Sequence, residues 1–123
     1  MEFNFASGDK ARIIQEIVPG KQITLAHIIA NPDQVLYYKL GLDPEVEYKR
    51  TAIGILTVSP AETAVIGADI AMKASGANVE FVDRFTGTVI MTGTVSEVEA
   101  STHAIVDYVR DKLGYSVCDI TRT

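Results

Sequence analysis

Ala52-Ile53-Gly54-Ile55-Leu56-Thr57-Val58-Ser59-Pro60-Ala61-Glu62 is an uncharged, β-branched run that ends in a helix-start signal. Ile53, Ile55, Leu56 and Val58 make Ala52–Ser59 a buried strand. Ser59-Pro60-Ala61-Glu62 has the spacing of a capping box with proline at the first helical position, which predicts a helix running to Gly76. That helix is small-faced, with Ala64, Gly67, Ala68, Ala71 and Ala74. A glycine inside a helix costs about 1 kcal/mol relative to alanine, so Gly67 predicts a very close neighbour. Asn78–Phe85 reads as the next strand, Thr86-Gly87 as a tight hairpin and Thr88–Val95 as its antiparallel partner. Ser96-Glu97-Val98-Glu99 reads as a second capping box. Its helix carries Val98, Ser101, Ile105, Val109 and Leu113 on one face and stops at Gly114. Tyr115–Ile120 is a last strand. The order β-α-β-β-α-β over 52–120 describes a ferredoxin-like split βαβ: an α/β (α+β) fold with a four-stranded antiparallel sheet and two helices on one face.

Working outward, Ile23–Ala30 is an uncharged strand that this order does not explain. Asn31 can cap a following short helix, with Pro32 in its first turn, Gln34 at the third position, and Val35, Leu36, Tyr37, Tyr38 and Leu40 making it apolar up to Gly41. Leu42–Thr51 is an acidic loop around Asp43-Pro44-Glu45. Val18-Pro19-Gly20-Lys21 reads as a turn. Before it, Arg12-Ile13-Ile14-Gln15-Glu16-Ile17-Val18 has strand composition. It is either a frayed tail or a strand whose partner lies elsewhere, on another chain for instance.

At 123 residues with 47% apolar composition, the chain fits one domain with a real core, needing neither disulfide nor metal to fold. Sixteen acidic against eleven basic residues give a net charge of −5, which argues against nucleic-acid binding. No apolar run reaches the ~18 residues of a membrane span. Met1-Glu2-Phe3-Asn4-Phe5 lacks the basic start and apolar core of a signal peptide. One cysteine, Cys118, cannot form an internal bridge, and a cytoplasmic location is expected.

No catalytic set converges in the sequence. His27 falls mid-strand and His103 mid-helix, and with Cys118 as the sole sulfur they do not supply the three or four ligands zinc takes. His27 is expected to be a hydrogen-bonded packing residue and Cys118 a small buried hydrophobe. There is no phosphate-binding glycine loop and no nucleophile elbow. Acylphosphatases share the strand order, but their glycine-rich anion loop is absent. Asp83 and Arg84 are the only charged pair at a protruding loop, and Asp69 and Lys73 are spaced as a surface i,i+4 pair. No catalytic residue, metal or cofactor is expected. A sheet with helices on one face and Thr, Ile and Val on the other, built with few charges, wants neighbours. Composition and strand order alone rank two readings almost level: a structural tile, and an oligomeric ferredoxin-like regulatory domain that binds a small ligand between subunits.

The stretch from Ile14 to Pro32, Ala52-Ile53-Gly54-Ile55-Leu56-Thr57, Phe81-Val82-Asp83-Arg84-Phe85-Thr86-Gly87 and Cys118-Asp119-Ile120-Thr121-Arg122-Thr123 resemble one bacterial microcompartment shell protein family. It is the circularly permuted single-BMC-domain type of ethanolamine- and propanediol-utilisation operons (EutS/PduU-type), and the closing Thr-Arg-Thr leans to the propanediol member. The resemblance covers nearly the whole chain from Arg12. It departs at Met1–Ala11 and at the long acidic loop. It implies an N-terminal extension over 1–22 and a circularly permuted BMC domain over 23–123, with the strand and helix usual at the C-terminus moved to the front. It implies a non-enzymatic hexameric tile that packs with other shell proteins around encapsulated enzymes, touching neither nucleic acid nor membrane. Lys73 matches the hexamer-edge lysine. Asp83, Arg84, Phe85, Thr86 and Gly87 fall where the pore loop lies. Arg12, Ile13, Ile14, Gln15, Glu16, Ile17 and Val18 match a strand that, six times repeated, forms a small barrel capping the pore. Permuted relatives can hold an iron–sulfur cluster through pore cysteines; with none near Asp83–Gly87, no cluster is expected.

Overall fold

The central strand of the sheet, β2 (Ala52–Ser59), spans the stretch that the sequence marks as buried. The computed structural model describes residues 20–42 and 51–123. The expected cap strand Arg12–Val18 and the heart of the acidic loop therefore lie outside the described residues. In chain order the elements are β1 (Gln22–Ile29), α1 (Gln34–Lys39), β2, α2 (Thr63–Ala74), β3 (Asn78–Asp83), β4 (Thr88–Gly93), α3 (Val95–Asp111), β5 (Ser116–Val117) and β6 (Thr121–Arg122). The sheet order is β3-β4-β2-β1-β5, with β6 also on β1.

This order modifies the four-stranded sheet read from 52–120. The place beside β2 is taken by β1, antiparallel, and the terminal segment lies outside β1 and parallel to it. Of the expected strand Tyr115–Ile120 only Ser116–Val117 is strand, and a second piece, Thr121–Arg122, follows beyond it in the same register: Gln22 faces Ser116 and His27 faces Thr121. Beyond them, Thr123 and Ala30 extend the edge through Ala30 N–Thr123 O at 2.8 Å. The strand that the βαββαβ order left unexplained thus joins the two halves of the sheet.

α2 and α3 cover one face. Leu56, Val58, Val89, Met91, Ile105 and Val109 form the centre of the core with the alanines of α2. Each large side chain buried this fully contributes about 1.5–3 kcal/mol relative to exposure. Gly54 of β2 lets α3 approach: a Cβ there would sit 2.8 Å from Val98 Cγ1 and 3.1 Å from Met91. Gly67 does not have the close neighbour expected of it, because a Cβ would meet Ile105 at 3.6 Å, an ordinary contact. The other face is not bare. α1 lies across it and buries Tyr37 on Ile53, flanked by Ile29, Leu36 and Ile90.

All three helix starts differ from the sequence reading. α1 is capped by Asp33, which accepts from Val35 N at 2.9 Å, and not by Asn31. Ser59 cannot cap α2, because it is paired in β2 with Gln22. The first turn is instead closed by backbone bonds such as Thr63 N to Pro60 O at 3.0 Å. The capping box of α3 is Thr94 with Glu97: Glu97 N donates to Thr94 Oγ1 at 3.1 Å, and Thr94 N donates to Glu97 Oε1 at 2.9 Å.

Candidate functional site

The β3–β4 connection is a turn over 84–87 held by Asp83. Asp83 Oδ1 accepts from Phe85 N at 2.8 Å and Oδ2 from Thr86 Oγ1 at 2.9 Å. The Asp83 carbonyl accepts from Gly87 N at 2.8 Å. This is the local side-chain-to-backbone bonding that favours aspartate in turns. The Phe85 amide, then the Thr86 hydroxyl, hold the Asp83 carboxyl below its ordinary range. Gly87 has φ +80°, and a Cβ there would strike the carbonyl oxygen of Val58. No other residue fits, since the Gly87 carbonyl also accepts from Val58 N at 2.8 Å. The loop is thereby locked to the end of β2.

Asp83 and Arg84, neighbours in sequence, play different parts. The carboxylate closes its own loop, while the Arg84 guanidinium lies 5.0 Å from the centre of the Phe85 ring. Phe85 is 80% exposed, so the loop presents a cation and an aromatic face outward.

The second feature is the last turn of α2. Lys73 Nζ is 2.9 Å from Asp69 Oδ2, the surface pair that the spacing predicts, and this partner raises the lysine pKa. Val65, Ile66 and Met72 are exposed on the same helix.

Of the remaining singled-out residues, His27 and Cys118 are structural. His27 sits between two hydroxyls, Thr121 Oγ1 at 2.6 Å from Nδ1 and Thr123 Oγ1 at 3.0 Å from Nε2, and so ties β1 to the terminal segment. Cys118 packs, half-buried, against the core. His103 is exposed on α3 beside a groove shared with Cys118, Asp119 and Arg110, whose guanidinium is taken by Asp107 and Asp111. Among the described residues no group of three His, Cys, Asp or Glu side chains could hold a metal ion.

Residues 52–122 match the model of the BMC domain, which is more than half of the chain. The chain belongs to the BMC-domain family. β1 and α1 precede the matched segment. The chain is 48% identical over 112 residues to the bacterial microcompartment shell protein PduU of Salmonella typhimurium, covering 91% of this chain and 93% of that one. It is 44% identical over 115 residues to the shell protein EutS of Escherichia coli, covering 94% and 99%. A solved flat hexamer of CutR superposes with a TM-score of 0.78 at 48% identity, covering 91% of this chain and 99% of the CutR chain. This BMC domain therefore has relatives among shell proteins that match it over nearly their whole length, and the resemblance to single-BMC-domain shell proteins read from the sequence holds.

Proposed function

We propose that the protein is a structural subunit of a bacterial microcompartment shell, a homo-hexameric tile that packs with other shell proteins. The observation that carries this is the 48% identity, over nearly the full length, to a chain that forms a flat hexamer. A shell role asks for flat, self-complementary flanks and not for a reaction centre, which agrees with the dispersed histidines and the locked hairpin. We assign it no catalytic activity.

Within the tile, Lys73 is proposed as the edge residue, supported by its exposure at the end of α2 and the apolar Met72 beside it. The Asp83–Gly87 loop is proposed to line the six-fold axis. Its internal bonding suits it for that position, because six copies of a loop that carries its own hydrogen bonds need no partner to hold their shape. Arg12–Val18 is proposed to cap the same axis, since a lone strand of this composition requires paired neighbours for its backbone groups.

Lys73→Asp tests the tile. The hexamer should remain intact by sedimentation, while lateral sheets, seen by electron microscopy or light scattering, should weaken. Sheets that form as readily as the parent's would remove Lys73 from the edge. A parent protein that stays monomeric at every concentration would remove the tile.

A further inference from the structure

The last turn of α2 is tied to α3 by a chain of hydroxyls that neither the core nor the helix caps account for. Ser75, the residue that closes α2, has its Oγ 2.9 Å from the carbonyl of Glu97 and 2.8 Å from Ser101 Oγ, and it accepts from Ala77 N at 3.1 Å. Ser101 Oγ in turn lies 2.9 Å from the carbonyl of Ala71. Ser101 is fully buried. The Ala71 carbonyl belongs to the last turn of α2, one turn before the cap residue Ser75. Two hydroxyl protons are shared among three contacts, so two are hydrogen bonds at any one time: Ser75 to Glu97 O, Ser101 to Ala71 O, or one hydroxyl donating to the other. A hydroxyl network bridging two helices in this way rigidifies the contact that it spans. Ala71 and Ser75 flank Lys73 by two residues on each side, so both ends of the turn that carries Lys73 are fixed to α3. The connection that follows is closed as well, since a Cβ at Gly76 would collide with the Glu97 carboxylate.

We infer that Ser101 and Ser75 are positioning residues for lateral tile contact, setting the height and direction at which Lys73 leaves the hexamer rim. This rests on the proposed edge role of Lys73. An edge contact between flat tiles is repeated on every side of the hexamer, so a small tilt of α2 is multiplied across the sheet. A rigid anchor under that turn is what such a contact needs.

Three variants separate this from general stability. Ser101→Ala removes the hydroxyl bond to Ala71 O. Tyr115→Phe removes the hydroxyl bond to Thr63 Oγ1 (3.0 Å) at the opposite end of the same helix. Lys73→Ala removes the edge group itself. Hexamer content is read by sedimentation, and the lowest protein concentration giving sheets by light scattering. Ser101→Ala should raise that concentration about threefold or more, the low end of coupling between groups in contact. Tyr115→Phe should lower the melting temperature and leave the threshold unchanged, and Ser101→Ala should add nothing in a Lys73→Ala background. If Ser101→Ala fails to fold, the half-buried Ser75→Ala takes its place with the same expectations. A parental threshold for the serine variants, or an equal rise with Tyr115→Phe, overturns the positioning role while Lys73 stands. No effect of Lys73→Ala overturns both.

Discussion

Thr102 is fully buried in α3, and its hydroxyl is the one buried side-chain polar atom without a hydrogen-bond partner among the described residues. A hydroxyl kept from water with no partner costs about 1–3 kcal/mol. Thr102→Val replaces it with a methyl group of nearly the same shape, whose burial contributes about 0.8 kcal/mol. Threonine and valine have nearly equal helix propensity, so α3 itself loses nothing. The opposing effect is the slightly larger methyl in a close-packed interior, which takes back part of the gain. The net expectation is a stabilisation of about 1–2 kcal/mol, made of the removed penalty less that crowding. For a chain of this length it should raise the melting temperature by about 3–6 °C per kcal/mol. The assay is thermal unfolding followed by circular dichroism, with parent and variant at one protein concentration, because oligomer stability depends on it. Thr102→Ala serves as the control. It removes the penalty but also the packed methyl, and should fall below the valine variant. A valine variant melting at or below the parent would show that the hydroxyl is satisfied, and the accounting for this side of α3 would be wrong.

Two glycines at first sight alike should respond in opposite directions. Gly67→Ala, with space for its methyl, should stabilise by up to about 1 kcal/mol, whereas Gly54→Ala, pressed on Val98 and Met91, should cost about 1–3 kcal/mol; urea midpoints compare them directly. Gly87→Ala combines a positive φ with a collision on the β2 backbone and should abolish the folded hairpin, seen as loss of soluble oligomer in expression trials. The Asp83 carboxyl is held below its usual pKa, so its contribution is present above the unfolded-state value and is lost as pH falls through the lower, folded value. In acid the Phe85 amide resonance should move only below the range where ordinary carboxylates titrate; a shift at the ordinary value would mean that the loop bonds are absent in solution.

The secondary structure was legible where one force dominates. Ala52–Ser59 is continuous and apolar, and strand β2 matches it residue for residue. The apolar face of α3 was found at Val98, Ser101, Ile105 and Val109, but Thr102 and Val106, equally buried, were missed, because a threonine in a helix reads as surface. Helix starts were the weak point. Thr94-Val95-Ser96-Glu97 and Ser96-Glu97-Val98-Glu99 both fit the capping pattern, and only the end of β4 at Gly93 decides between them. The same competition disqualified Ser59, which the strand claims first. Sheet order was not legible from the pattern of elements, since nothing local to Ile23–Ala30 says that it inserts between β2 and the terminal segment. Of the candidate site, Gly87 and Asp83 were found as a motif; the reason for each, a backbone collision and a self-closing carboxylate, exists only in three dimensions. The anchor at Ser75 and Ser101 left no signal beyond two small polar residues.

The position of β1 has a mechanical consequence. It lies between β2 on one side, antiparallel, and β5 and β6 on the other, parallel, and its first residue, Gln22, is where the chain from the N-terminal extension joins the sheet. A pull on Gln22 along the strand axis loads β1 in the direction of its own length. Its hydrogen bonds to both neighbours then share the force in shear, and they must fail together, not one after another as they would if the strand were peeled from an edge. The terminal segment, an edge strand of two short pieces, would give way under far less. The chain is thus built to be held from its front: a tether attached ahead of Gln22 can bear tension without unravelling the tile, and the same tether attached at Thr123 cannot.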